Sequence, residues 1–350
     1  MKTIGIDVSM RSLSVAAVCS VDRMNDKITG TKTFPNDKEG IRKLAEWGRA
    51  KSPEPDTIYI MEATGTYYEQ AADILHKTGL WVVVELPNKI KNYAKSLNIK
   101  TKTDDVDAKI IGRYALHNKT RRWEPMTSEM AAMRTYSRQI LSLTDERTRC
   151  KNQLHALGHS TYAPQRLIND LAERIERLTG YIETYQRELM ELANKDSGFA
   201  KRVRNVATLK GVSELTVISI LCETNGFSVC SNMRQAVSYA GLDVSLYQSG
   251  TIRARGRISK KGNARIRRLL FMPAICASHR GFGRFKNLYA RVVNKEPNHK
   301  MIATIAVERK LYTMIYTLWK KNEPFAENDA LDKLQAIDSE KAQTGCKITK

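Results

Sequence analysis

This chain of 350 residues is predicted to fold as an α/β N-terminal domain, a helical coiled-coil linker and a mainly α-helical C-terminal domain. Three observations predict it. Residues 1 to about 120 alternate short apolar runs with amphipathic stretches, the pattern of strands with helices packed on a sheet. Leu171, Ile175, Leu178, Ile182, Tyr185, Leu189 and Leu192 recur at steps of four and three, a heptad seam. From about Val203, glycine-punctuated helical segments carry a dense run of cations. The boundaries read as 1–125, 126–200 and 201–322, with a polar tail at 323–350.

In the first part, Thr3–Val8 and Ser12–Val18 read as strands joined by a turn at Met10–Ser12. Asp37 opens a helix through Ile41, Leu44 and Trp47. Thr57–Met61 is a buried strand ending at Glu62, followed by a turn at Gly65 and a helix through Ala71, Ile74 and Leu75. Leu80–Leu86 is a further strand, stopped by Pro87. Asp105–Leu116 is helical, with Val106, Ile110, Ile111 and Tyr114 at the right spacing. The middle part reads as an antiparallel hairpin whose first arm is Met133–Leu157, broken at Ser160–Pro164. Its seam suits either an intramolecular core or a self-association arm.

Composition narrows the function. The net charge of +21 predicts attraction to polyanions, nucleic acid first. No apolar run approaches a membrane span and no signal peptide is visible, so no membrane partner is expected. Six scattered cysteines without CxxC spacing argue against zinc and a disulfide framework, and for a reducing, cytoplasmic compartment.

Four acids stand out. Asp104 and Asp107, three apart on a helix, project from one face and repel one another unless a cation sits beside them. Alone they are an ordinary helix start, where acids favour the dipole. Asp7 and Glu62, however, fall at the ends of two strands, and the carboxyl ends of central strands line the crevice of an open α/β sheet. Convergence of all four would suit a hard divalent cation, Mg²⁺ first and Mn²⁺ as an alternative, in phosphoryl transfer.

The C-terminal part opens on a turn at Lys210-Gly211 between helices, where backbone amides could approach a phosphate. Between Val244 and Lys295 there are thirteen basic residues and no acid, whereas solvated faces mix both signs. Arg253, Arg255, Arg257, Lys260, Lys261, Arg265, Arg267 and Arg268 crowd together there and, with Lys102, Lys210 and Gly211, are the candidate nucleic-acid contacts. Ser249-Gly250, read from the residues alone, is ordinary turn chemistry.

Gly5-Ile6-Asp7, Met61-Glu62-Ala63-Thr64-Gly65-Thr66-Tyr67 and Lys102-Thr103-Asp104-x-x-Asp107-Ala108 resemble the DEDD signature of the insertion-sequence 110/1111 transposases and the related Piv-type DNA invertases. Lys210-Gly211-Val212, Tyr239-Ala240-Gly241-Leu242, Gln248-Ser249-Gly250 and Ile258-Ser259-Lys260-Lys261-Gly262-Asn263 resemble that family's C-terminal domain. The resemblance implies an RNase H-like, RuvC-like N-terminal domain and Mg²⁺ held by Asp7, Glu62, Asp104 and Asp107. Asp105 falls at a variable position of the motif. It also implies Ser249 as DNA nucleophile, assemblies such as dimers or tetramers on donor and target DNA, and a structured bridge RNA as guide. A bacterial, nucleoid-associated location follows from those partners. Inversion rather than insertion, a junction nuclease using activated water, and a structural binder with vestigial acids are the competing readings. An ATPase of the actin or sugar-kinase type would need glycine-rich phosphate loops after the first strand, and none is visible.

Overall fold

The computed structural model describes residues 2–22, 25–99, 103–249, 252–280 and 283–326, with 246–249 and 252–255 described by backbone alone. The chain forms two compact units, Met1–Pro125 and Met126–Lys350.

The first unit is built on β1 (Lys2–Val8), β2 (Ser12–Ser20), β3 (Asp26–Pro35), α1 (Lys38–Lys51), β4 (Ile58–Glu62), α2 (Tyr67–Lys77), β5 (Trp81–Glu85), α3 (Pro87–Ser96) and α4 (Asp104–His117). The sheet order is β3-β2-β1-β4-β5. β1, β2 and β3 pair antiparallel, while β1, β4 and β5 run parallel. A mixed sheet covered on both faces must be apolar on both, so its central strands lack clean alternation. Ile4, Ile6, Leu13, Val15, Tyr59 and Met61 pack with Ile41 and Leu44 of α1 and Ala71 and Leu75 of α2. On the opposite face Ile58, Ile60 and Val83 pack with Ile90 of α3 and Ile110, Ile111 and Tyr114 of α4.

Two elements differ from expectation. β3 was not foreseen, because this edge strand offers only Ile28 and Phe34 as apolar residues among exposed polar ones. Pro87 begins α3 rather than merely ending β5, since the first helical position needs no amide donor.

The second unit comprises α5 (Ser128–Gly158), α6 (Gln165–Asn194), α7 (Ser197–Ala207), α8 (Glu214–Thr224), α9 (Met233–Tyr239), β6 (Val244–Ser249), β7 (Ile252–Ile258), α10 (Ala264–Arg280), α11 (Gly283–Lys295) and α12 (Lys300–Lys321). α5 and α6 form an antiparallel hairpin, fixed by Arg174–Glu146 at 2.5 Å and by the Tyr136–Tyr185 ring pair. The hairpin is not a free-standing rod. Met133, Ile140, Ile182 and Leu189 share one core with Val217, Ile220 and Leu221 of α8 and Val307, Leu311 and Ile315 of α12. Only β6 and β7, an antiparallel pair unforeseen among these helices, depart from all-helical construction in this unit's described residues. The polar tail at 327–350 lies outside the described residues.

Candidate nucleic-acid-processing site

The geometry around Asp7 begins with a glycine. Side chains on a strand alternate between faces, so Thr3, Gly5 and Asp7 share one face of β1 and Ile4, Ile6 and Val8 the other. α4 crosses the first of these faces so closely that a Cβ at residue 5 would overlap the Ala108 carbonyl oxygen and the Gly112 amide nitrogen. Thr3 Oγ1 donates to the Gly112 carbonyl at 2.9 Å, fixing the helix along the strand. Glycine in a strand commonly marks such a backbone approach. With Gly112 beside the start of β1 and Ala108 beside Gly5, the first turn of α4 lies toward Asp7.

Glu62 reaches the same face by register. Gly5 pairs with Ile60 and Ile6 with Met61 in the parallel β1–β4 ladder, so Asp7 and Glu62 are the next step along it. Ile58 and Ile60 pack against α4, and Glu62 shares their parity. On α4, Thr103 Oγ1 caps the helix by accepting from the Val106 amide at 3.3 Å. Asp107 is half-buried, and Asp104 and Asp105 are exposed.

The electrostatics report the convergence. Asp7 is half-buried and its carboxyl is pushed up to about 6, by burial first and then by the charges of Asp107, Asp104 and Glu62. A hydrogen bond from the Val8 backbone opposes the rise. Asp105 is not among the causes. Hard carboxylate oxygens whose charges push one of their number up suit a divalent cation, which would relieve the repulsion. Their placement is looser than a closed coordination sphere: among the described residues no three acid, imidazole or thiol groups are gathered tightly enough to hold a metal ion.

Sequence reasoning passed over Glu85. It pairs with Glu62 in the β4–β5 register and is 8% exposed, extending the acidic row by one strand. The signal was present, since β5 ends Val-Val-Val-Glu much as β4 ends Ile-Tyr-Ile-Met-Glu. Its carboxylate is already engaged by the Leu86 amide at 2.9 Å and Lys89 Nζ at 3.0 Å. The Tyr114 hydroxyl, which burial and Glu85 push up to about 12, also hydrogen-bonds to it.

In the second unit Ser249 is the last residue of β6, paired with Ile252 across residues 250–251. Arg253 and Arg255 lie on β7, described by backbone alone. Arg257, Lys260, Lys261 and Arg265 are exposed, as are Lys210 and Gly211 in the turn between α7 and α8. Lys102 lies outside the described residues. Two of the expected contacts have work within the fold. Arg267 Nη1 donates to the Ala240 carbonyl at 2.7 Å, and Arg268 pairs with Asp145 and donates to the Leu141 carbonyl at 3.2 Å.

The DEDD transposase family of IS110 matches residues 4–162, and the "Transposase IS116/IS110/IS902 family" matches residues 203–290. The "Pilin gene-inverting protein" of Moraxella bovis is 28% identical over 331 residues, covering 92% of this chain and 97% of that protein. Its namesake from Moraxella lacunata matches with the same identity and coverage. Among solved structures, Thermus thermophilus RuvC aligns over 35% of this chain and 100% of its own, at 12% identity and a TM-score of 0.28. Among the described residues no helix is long and apolar enough to cross a membrane.

Proposed function

We propose, for a chain that belongs to the IS110 family of transposases, that it cleaves and exchanges DNA strands through a serine nucleophile with the help of a divalent cation. The observation that carries the reading is the half-buried Asp7, whose carboxyl is pushed up by burial and then by the charges of three acids arriving from β4 and α4. A structural nucleic-acid binder has no use for such a cluster.

The first unit is read as an RNase H-type domain in which Asp7, Glu62, Asp104 and Asp107 would hold Mg²⁺ or Mn²⁺. Such an ion supplies Lewis-acid polarisation of a phosphoryl oxygen. Ser249 Oγ attacks the phosphorus of a phosphodiester and loses its proton, while the bond to one deoxyribose oxygen breaks and that oxygen is protonated. The phosphoserine ester conserves the bond energy, so the hydroxyl of a second strand can displace the serine without an outside energy source. Arg257, Lys260, Lys261 and Arg265, with Arg253 and Arg255, neutralise backbone phosphates of the DNA and of a structured bridge RNA. Dimers or tetramers pairing donor and target DNA fit this chemistry. The pilin gene-inverting relatives favour one second reading, inversion of a resident segment rather than insertion, which uses the same steps.

The test is to incubate the protein with its flanking element DNA and Mg²⁺ and to look for a covalent protein–DNA adduct. The wild type should form it and Ser249→Ala should not. Continued cutting by Ser249→Ala without an adduct would establish a water-using nuclease instead.

A further inference from the structure

A two-stranded hairpin is marginal by itself. Among the described residues β6 and β7 pair only with each other, and Val244, Ser245, Gly256 and Arg257 are exposed. Where the hairpin stands is therefore decided at its root.

The root is unusually well tied. The segment entering β6 and the segment leaving β7 hydrogen-bond directly: the Ser259 amide to the Asp243 carbonyl at 2.8 Å, Lys260 to Gly241 at 3.1 Å and Asn263 to Tyr239 at 2.7 Å. They also touch so closely that a Cβ at residue 262 would overlap the Gly241 amide nitrogen and the Tyr239 carbonyl oxygen.

Beneath this root lies Glu223, near the end of α8 and 4% exposed. Its carboxylate receives Arg138 Nε at 2.7 Å and Nη2 at 3.0 Å from α5, and Asn263 Nδ2 at 2.7 Å. Its backbone carbonyl accepts the Tyr239 hydroxyl at 3.0 Å. Burial pushes the Glu223 carboxyl up, but the bonds from Arg138 and Asn263 outweigh it and hold the group below its usual range. One residue thus grips the entering arm through Tyr239 and the leaving arm through Asn263, and Arg138 braces it from the long hairpin. A buried ion pair is weak evidence of stabilisation, since apolar residues of similar volume often serve as well. Its worth here is directional.

We propose that Glu223 is a positioning residue for strand cleavage: by clamping both arms of the β6–β7 root it sets where the end of β6 bearing Ser249 stands. This assignment rests on the serine reading above.

The clean variant is Asn263→Ser, because Asn263 Oδ1 also accepts the Arg265 amide at 2.9 Å at the start of α10 and serine can keep that cap while dropping the bond to Glu223. Glu223→Gln is the second variant. On the full-length protein, amide exchange across 244–258 should rise about tenfold in Asn263→Ser, with α10 and α12 unchanged. Adduct formation at saturating DNA should slow by roughly ten- to a hundredfold, while DNA affinity stays within about twofold. Glu223→Gln should show the same split. Unchanged exchange in the hairpin, a wild-type adduct rate despite a loosened hairpin, or affinity falling in step with rate would each overturn the proposal. Absence of an adduct from the wild type would overturn the serine reading and this assignment with it, whereas a normal wild-type adduct with unaffected variants overturns this assignment alone.

Discussion

At the scale of single residues, charge placement separates chemistry from architecture. Asp104 is exposed at the first turn of α4, yet its charge reaches Asp7. Asp104→Asn should lower cleavage by roughly a hundredfold or more, the scale of removing a group aimed at developing charge, and leave salt-sensitive DNA binding intact. Unchanged cleavage would remove Asp104 from the site. Glu308 on α12 shows the opposite use of a carboxyl. It is 4% exposed, and burial pushes it up to about 7 despite the opposing Arg267. The folded state therefore binds the proton more tightly than the unfolded chain. Stability from this group is full below about pH 4.5 and declines as pH rises to about 7. Glu308→Gln should flatten that decline, by up to about 3 kcal/mol between pH 5 and 8 in denaturant titrations.

At the scale of elements, the β1–α4 crossing is the weight-bearing contact of the first unit. Gly5→Ala should destabilise that unit by about 3 kcal/mol or more, because the added carbon meets helix backbone rather than a movable side chain. A denaturation midpoint equal to the wild type's would refute the crossing. Much of this unit was legible: β1, β2, β4, β5 and α4 announce themselves through apolar runs and spacing. β3 was not, since at a sheet edge pairing to β2 substitutes for apolar content. The β6–β7 hairpin was hidden for a related reason. Its strands are held at their root by contacts from residues 223 and 138, which no local pattern encodes. Glu85 was visible as a strand-end acid, but its pairing with Lys89 could only be read from the fold. The split of the basic run into surface cations and the fold-bound Arg267 and Arg268 was equally beyond composition.

For the whole molecule, a net charge of +21 makes nucleic-acid affinity steeply dependent on salt. Replacing Arg257, Lys260 and Lys261 together with alanine should reduce the slope of log K against log salt by about 0.9 for each lost phosphate contact. Arg267→Ala should instead cost about 1–3 kcal/mol of stability by orphaning the Ala240 carbonyl, with little change in slope. Titrations of a labelled duplex at several salt concentrations, beside thermal melts, distinguish the two classes.

The alternation along β1 has a last consequence, for how copies of such a gene decay. One codon inserted between Gly5 and Asp7 would rotate the carboxylate into the oily layer beneath α1 and α2 and swing an aliphatic chain toward Glu62. Such a copy would keep its reading frame and every acid in its sequence while losing the constellation. Counting signature residues would pass it as intact; only the parity of the strand betrays it.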